Sequence, residues 1–482
     1  MQEAPGGDEG ASSGKKEEEK KEESKDEGND DNKPSKKNEE KKGDGNGDDH
    51  HDENKKVTKK EANDYHQYPF PGKYQISPSK PLNSEKDLRL AYVPGVAYPC
   101  QEIVNNPMNV YKYTTKENTV CVISNGTAVL GLGDIGALAS KPVMEGKGVL
   151  LKKFGDVNGV DLEVNTRDSD EFINCVKLLG SSYGGINLED LSGPECFYIE
   201  NKLKEIMDIP VFHDDQHGTA IITAAGVMNA CKITDRNLED LKVVFNGAGA
   251  AGIACLQMLL DCGVKKENAI LCDSKGVIFK GRTQGMNEWK EKYAVETEAR
   301  SLEEALNGAD VFVGVSAKDA LKPEWLKSMN SKPIVFALAN PDPEISPEDA
   351  KEAVPDVIIA TGRSDYPNQV NNVMCFPYLF RGALDVRARN ITEGMKVAAA
   401  QALAQLAREE VPKEVKDLYH DEDMKFGPEY IIPTPFDPRL LVRVSTAVAQ
   451  AACKDEGNAM LNYSDWSLYE KYLQKRLDDR YK

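Results

Sequence analysis

Between Gln2 and Lys56 the sequence has no Val, Ile, Leu, Phe, Tyr or Trp, and the first branched apolar residue is Val57. A segment that can bury nothing cannot offset its ordering entropy, so residues 1–60 are expected to be a disordered charged tail. That tail holds 19 acidic and 14 basic side chains, a net of −5, which leaves −14 of the formal −19 for the rest of the 482 residues. An acidic body excludes nucleic acid as a main partner, because neutralising phosphates takes clustered Lys and Arg. The tail's mixed runs, such as Lys15-Lys16-Glu17-Glu18-Glu19-Lys20, read as a solvated tether, with an interaction arm as the alternative.

Other absences narrow the class further. No run approaches the ~20 apolar residues that span a bilayer. The N-terminus has no basic start followed by an apolar stretch, as a secretory signal requires, and it is too acidic for a mitochondrial presequence. The ten cysteines form no C-x-x-C pair. Most sit in apolar runs such as Thr119-Val120-Cys121-Val122-Ile123, where Cys behaves as a small hydrophobe. Reduced thiols and a cytoplasmic location are the expectation.

What is present is an alternation of strand-like and helical segments. Residues 66–100 are rich in Pro, Gly and Tyr and read as an arm that packs on a domain without a sheet of its own. Val120–Ile123 and Gly148–Leu151 are short apolar runs of strand type, and residues 168–180 have helical apolar spacing at Phe172, Val176 and Leu179. Gly218–Asn229 is small and apolar, as in a helix that links domains. Strand-like runs then recur at 241–246, 269–272, 310–315, 333–338 and 357–360, with helical segments between most of them. That alternation predicts a doubly wound parallel sheet covered on both faces. An Ala-rich helix at 391–410 and a charged one at 464–480 close the chain.

Gly247-Ala248-Gly249-Ala250-Ala251-Gly252 fits G-x-G-x-x-G, a weak signal by itself. An apolar strand precedes it, a helix from Ile253 to Leu260 follows, and the next strand ends at Asp273, 21 residues after Gly252. That is the order of a dinucleotide fold, in which glycines let the backbone approach the pyrophosphate and the helix N-terminus favours the anion. Asp273 accepting from a ribose 2′-hydroxyl favours NAD, whereas Ser274-Lys275 beside it suit the 2′-phosphate of NADP. The choice stays open, with a lean towards NADP.

Two acidic pairs, Glu189-Asp190 and Asp214-Asp215, each follow a strand-like segment. At the carboxyl ends of neighbouring strands they would converge on a hard oxygen site, suited to Mg²⁺ or Mn²⁺. His213 and His217 are spaced i, i+4 but lack the intervening Glu of a zinc-protease helix, so a turn carrying structural histidines is expected.

Several motifs together resemble the malic enzyme family in its short, bacterial-type branch, over about residues 65–455. They are Ala91-Tyr92-Val93-Pro94-Gly95, Ser124-Asn125-Gly126-Thr127 with Gly131-Leu132-Gly133, Lys141-Pro142-Val143-Met144-Glu145-Gly146-Lys147, Gly185–Asp190, Phe212–Ala220, Ala339-Asn340-Pro341 and Thr361–Asn372. The resemblance implies a catalytic and metal domain at 61–217, a Rossmann-type NAD(P) domain at 218–455 and a helical extension at 456–482. It implies Tyr92 as general acid, Lys147 as general base with Asp214 beside it, and Glu189, Asp190 and Asp215 as metal ligands. Asn340 and Asn372 would contact substrate or the nicotinamide end, and the assembly would be a homodimer.

The implied reaction is metal-dependent oxidation of malate with loss of carbon dioxide to give pyruvate. Lys147 takes the C2 hydroxyl proton, which requires its pKa to fall from ~10.4 towards ~7–8. Tyr92 protonates C3 after decarboxylation. Longer animal-type members carry an arginine where this chain has Ala128, so the substrate carboxylate would be gripped otherwise, through Ser124, Asn125 and Thr127. Some bacterial members continue into a phosphotransacetylase-like domain that these 482 residues do not reach. The competing readings are a hydroxy- or amino-acid dehydrogenase without decarboxylation and a non-enzymatic nucleotide-sensing protein.

Overall fold

The computed structural model describes residues 57–129 and 131–480. The expectation of disorder over 1–56 lies outside these residues. The last of the expected tail is ordered: Thr58 caps the helix Lys59–Gln67, with its hydroxyl accepting from Glu61 N and Glu61 closing the reciprocal bond to Thr58 N.

A four-stranded parallel sheet is built from β1 (Thr119–Ser124), β2 (Asn158–Glu163), β3 (Gly185–Leu188) and β4 (Val211–His213), in the order β2-β1-β3-β4. Ile123 pairs with Leu188 and Leu188 with His213, so β1, β3 and β4 end level with one another. β1, β3 and β4 are buried along their whole length, as parallel strands covered on both faces must be. A second sheet holds β5 (Val243–Asn246), β6 (Ala269–Asp273), β7 (Gly276–Val277), β8 (Val311–Gly314), β9 (Ile334–Ala337) and β10 (Ile358–Thr361). Its order is β10-β9-β8-β5-β6-β7, parallel except for β7. The chain steps outward from β5 to β6 and β7, then returns to the other side of β5 with β8, which is the doubly wound arrangement expected.

The helix Asp214–Thr234 begins directly after β4 and spans the division expected at residue 217. It is apolar on nearly every side, and Ile221, Ile222, Ala224, Ala225 and Val227 are fully enclosed in the larger core. It also corrects one expectation: Asp214–His217 is the first turn of this helix rather than a free turn.

A second correction concerns Gly148–Leu151, which lies inside the helix Gly136–Gly155 rather than in a strand. Four apolar residues in a row do not reveal their period, and here a 20-residue helix absorbs them. This helix presses directly on β2, because a Cβ on Gly159 would stand 2.4 Å from Gly148 Cα. The arm forms no strand, as expected, but it packs less than expected: the helices Lys59–Gln67, Glu85–Ala91 and Ala97–Asn105 bury no residue. No helix among the described residues is long and apolar enough to cross a membrane.

Where the arm does touch the body, it meets an acidic pair on β2. The Tyr74 hydroxyl donates to Asp161, and Lys141 Nζ lies 2.6 Å from Asp161 and 3.5 Å from Glu163. Burial, then the adjoining Asp161, pushes Glu163 up to about 7. The folded chain therefore holds a proton there that the unfolded chain loses above its ordinary ~4.3. Stability from this group is present at low pH and is lost as pH rises from ~4.3 to about 7. Glu163→Gln is expected to flatten that fall in denaturant titrations; an unchanged slope would show that the pair holds no such proton.

Candidate active site

β3 runs into Glu189-Asp190 and β4 into Asp214-Asp215, so adjacent level strands deliver four carboxylates to one edge. Two backbone features lock the edge. Asp190 sits in the left-handed region (φ 51), which Asp tolerates better than most residues, and its N–H donates to Asp215 Oδ2 at 2.7 Å. Asp214 and Asp215 occupy the first helical turn, where the macrodipole favours negative charge. The glycine-rich turn closes over them from β1, with Ala128 N donating to Asp190 O at 2.9 Å and Ser192 N to Thr127 Oγ1 at 3.0 Å.

Lys147, on the helix Gly136–Gly155, reaches into this group. Its Nζ stands 2.5 Å from Asp214 Oδ2 and 3.0 Å from Glu189 Oε1, over the ring of Phe376. Asn372 Nδ2 donates to the same Asp214 oxygen at 2.9 Å, and Asn187 Nδ2 donates to Glu189 Oε1 at 2.7 Å. Burial by itself would lower the Lys147 pKa, but the surrounding Asp214, Glu189 and Asp215 carboxylates hold it above the ordinary lysine range. The lowered pKa expected of a base is therefore absent without a further positive charge.

The carboxylates outnumber the lysine. Burial, with Asp215 adding to it, raises Asp190 to about 7, and burial raises Glu189 well above the usual range. Asp215 is the exception: burial works to raise it, yet His213 Nε2 at 3.2 Å holds it below the usual range. Oxygens of Glu189, Asp190 and Asp215 all lie within 4.8 Å of one another, and the buried Asp190 Oδ2 has no hydrogen-bond partner. Excess buried charge and an orphaned oxygen fit a hard divalent cation. Asp215, 36% exposed, opens the group to solvent. His213 borders this group at Asp215, whereas His217 stands apart from it. Both bond towards the buried Glu200, His217 through Nε2 at 2.8 Å and His213 through its backbone N–H at 3.3 Å.

In the second sheet, Gly247-Ala248-Gly249-Ala250-Ala251-Gly252 joins β5 to the helix Ala250–Asp261 at the point where the winding reverses. Gly247 has φ +116, and a Cβ there would meet Val315 O at 2.5 Å. A Cβ on Gly252 would lie 1.8 Å from Gly247 O, so the helix can start against the turn only without one. Gly249 faces open space, the room a pyrophosphate needs above the helix N-terminus. Gly252→Ala is expected to cost ~1–3 kcal/mol of stability and to weaken dinucleotide binding. Unchanged melting and binding would show that the turn has slack.

Two family models match the chain: "Malic enzyme, N-terminal domain" over residues 71–168 and "Malic enzyme, NAD binding domain" over 216–421. An NADP-dependent malic enzyme of Halomonas elongata is 54% identical over 88% of this chain and 99% of its own length. The chain belongs to the malic enzyme family. An NADP-dependent malic enzyme of Rhizobium meliloti is 58% identical over 88% of this chain. There the chain spans about half of the relative, 55% of its length. The crystal structure of the malic enzyme from Pyrococcus horikoshii superposes with a TM-score of 0.79 at 41% identity, covering 87% of this chain and 95% of that one.

The malic enzyme motifs are thus gathered unequally. Lys147, Glu189, Asp190, Asp214, Asp215 and Asn372 form one contact group. Asn340 follows β9 and donates to Leu338 O, with no bond to that group. Tyr92 ends the exposed helix Glu85–Ala91, 68% exposed, and its hydroxyl bonds to no described residue. Ser124, Asn125 and Thr127 use their oxygens inside their own turn, accepting from Gly126 N and from Thr127 N and Oγ1 or bonding to Ser192. Ser274 and Lys275 are exposed beside the end of β6. Asn187 and Phe376 also reach the lysine group; Asn187 lies within the motif Gly185–Asp190 without an expected role, and no motif or spacing marks Phe376.

Proposed function

We propose that this chain oxidises (S)-malate with NADP or NAD as acceptor and releases carbon dioxide to leave pyruvate. The supporting observation is a lysine held among buried carboxylates at one sheet's ends, in a chain that carries a dinucleotide turn in its second sheet. The malic enzyme names of its relatives point the same way. Glu189, Asp190 and Asp215 are the proposed holders of Mg²⁺ or Mn²⁺. When bound, the ion supplies positive charge that acidifies the substrate hydroxyl and offsets the carboxylates holding the lysine proton, while the dinucleotide accepts the hydride.

The chain's own groups do the rest. Lys147 Nζ takes the C2 hydroxyl proton, and Asp214, braced by Asn372, orients the amine and relays the proton onward. Tyr92 returns a proton to C3. Gly247–Gly252 cradle the pyrophosphate, and Asn340 and Asn372 contact the substrate or the nicotinamide end. The expected domains are 61–217 for metal and substrate and 218–455 for the dinucleotide, with a helical extension at 456–482.

A homodimer is part of the proposal. The arm exposes the apolar side chains Tyr65, Tyr68, Phe70, Ile76, Leu88 and Leu90, which no described residue covers and a second copy would. A second copy on that surface would also take the exposed Tyr92 out of solvent. Sedimentation at micromolar concentration should give twice the chain mass; a monomer would remove this part. The ten free cysteines suit a cytoplasmic location. The reaction is tested by counting carbon dioxide against reduced dinucleotide, with malate, Mn²⁺ and either cofactor. A ratio near one is expected, and a ratio near zero would leave a plain dehydrogenase.

A further inference from the structure

Glu200, on the helix Glu195–Ile206, is a buried carboxylate that the proposed reaction leaves without a task. It ties the end of β4 to the first turn of the helix Asp214–Thr234. Oε1 accepts from His213 N at 3.3 Å and lies 2.7 Å from Lys204 Nζ, which keeps the carboxyl ionised. Oε2 accepts from Gln216 Nε2 at 3.1 Å, and His217 Nε2 stands 2.8 Å and 3.0 Å from the two oxygens. An ionised carboxylate only accepts. Gln216 therefore presents its NH₂ group to Glu200, and His217 carries a proton on Nε2.

The same NH₂ group lies 2.8 Å from His213 Nδ1, so its second hydrogen goes to that ring nitrogen. Turning the amide over would set its carbonyl oxygen against Glu200. His213 Nδ1 is thus an acceptor, and the ring proton is left on Nε2. Although Asp215 would favour a second ring proton, a donor already occupies Nδ1. His217 obeys the same rule, because its Nδ1 faces the donor-only Lys396 Nζ at 3.3 Å. His213 is fully enclosed, and its Nε2 stands 3.2 Å from Asp215 Oδ2 but makes no aligned hydrogen bond. A buried N–H in that position favours any rotation of the Asp215 carboxylate that brings an oxygen into line.

We infer that Gln216 is a positioning residue: held by Glu200, it keeps the His213 proton on Nε2, and that N–H orients the Asp215 carboxylate towards the divalent ion. The inference rests on the reading of Glu189, Asp190 and Asp215 as the metal site. Neither Gln216 nor Glu200 touches the substrate or the ion in this account. Both act through His213, from the far side of the first helical turn.

The test begins with magnetic resonance of isotopically labelled histidine rings in the metal-free wild-type chain near neutral pH, where six histidines must be resolved. His213 and His217 are both expected as rings protonated on Nε2 alone. In Gln216→Met, similar in length but without a donor, His213 should also populate the form protonated on Nδ1. Glu200→Gln, which lets the Gln216 amide turn over, should shift His213 in the same direction. Spin-resonance titration should find Mn²⁺ bound about 10–100-fold more weakly by Gln216→Met, the usual effect of losing a group behind a metal ligand. Turnover should recover at saturating Mn²⁺. A wild-type His213 proton on Nδ1, or on both nitrogens, overturns the inference without any variant having to fold. Unchanged Mn²⁺ affinity in a Gln216→Met protein whose His213 has changed form overturns it too, and leaves the metal site intact. Absence of Mn²⁺ binding by wild type would remove the metal reading and this inference with it.

Discussion

Replacing Lys147 with alanine is expected to lower malate turnover by ~10²–10⁴-fold, the usual contribution of a general base, while Mn²⁺ binding persists. The reason is the charge balance around its Nζ. Among the described residues Lys147 is the one Lys or Arg that forms an ion pair with Glu189 or Asp214. Removing it leaves the carboxylates more negative, so their affinity for a cation holds or rises. Without metal the variant should be less stable at neutral pH, because breaking a buried pair leaves uncompensated charge, typically costing ~3–5 kcal/mol. Mn²⁺ should restore much of that. Spin-resonance titration of free Mn²⁺ alongside steady-state turnover separates the roles. Near-normal turnover would remove the lysine from the chemistry, and lost Mn²⁺ binding would make its role structural.

Stripping divalent ions with EDTA should abolish pyruvate formation and lower the melting temperature by several degrees, with both restored by Mn²⁺. Asp190, at about 7 because burial and Asp215 disfavour its charge, and Asp190 Oδ2, buried without a partner, mark the ion-free site as unsatisfied. An ion at ~100 times its dissociation constant adds ~2.7 kcal/mol to folding stability. Asp215→Ala takes out the ligand on the solvent side and should leave melting insensitive to Mn²⁺. Turnover that continues in EDTA, or an Asp215→Ala protein that still gains stability from Mn²⁺, would place the ion elsewhere or dispense with it.

Five of the second sheet's six strands were legible in the sequence, and the two-residue β7 was not. Runs such as Leu241–Asn246 and Val357–Ala360 are apolar, short and bounded by turn residues, and each of those five strands forms within one or two positions of its run. Gly148–Leu151 misled because an apolar tetrad has no period of its own; its helix is set by flanking residues and by the close approach of Gly159. Asp214–His217 misled for a related reason, since the helix there is sustained by burial of Ala220–Val227 against both sheets' cores rather than by local propensity. The site divides in the same way. Acidic pairs after strands announced a hard cation site, because strand ends converge wherever parallel strands are neighbours. The partners of Asp273, Arg282 and Lys290, lie 9 and 17 residues further on, outside the short window in which its position was read.

Composition and local spacing thus determined the strand–helix alternation, the glycine turn and the acidic pairs, because each is written within a window of about ten residues. The ion pairs of Lys147 and Asp273 and the bare surface of the arm were decided by tertiary structure alone. Charge balance and burial depend on which side chains meet in space. Lys147 meets Asp214 across 67 residues, and Asn372 meets it across 158.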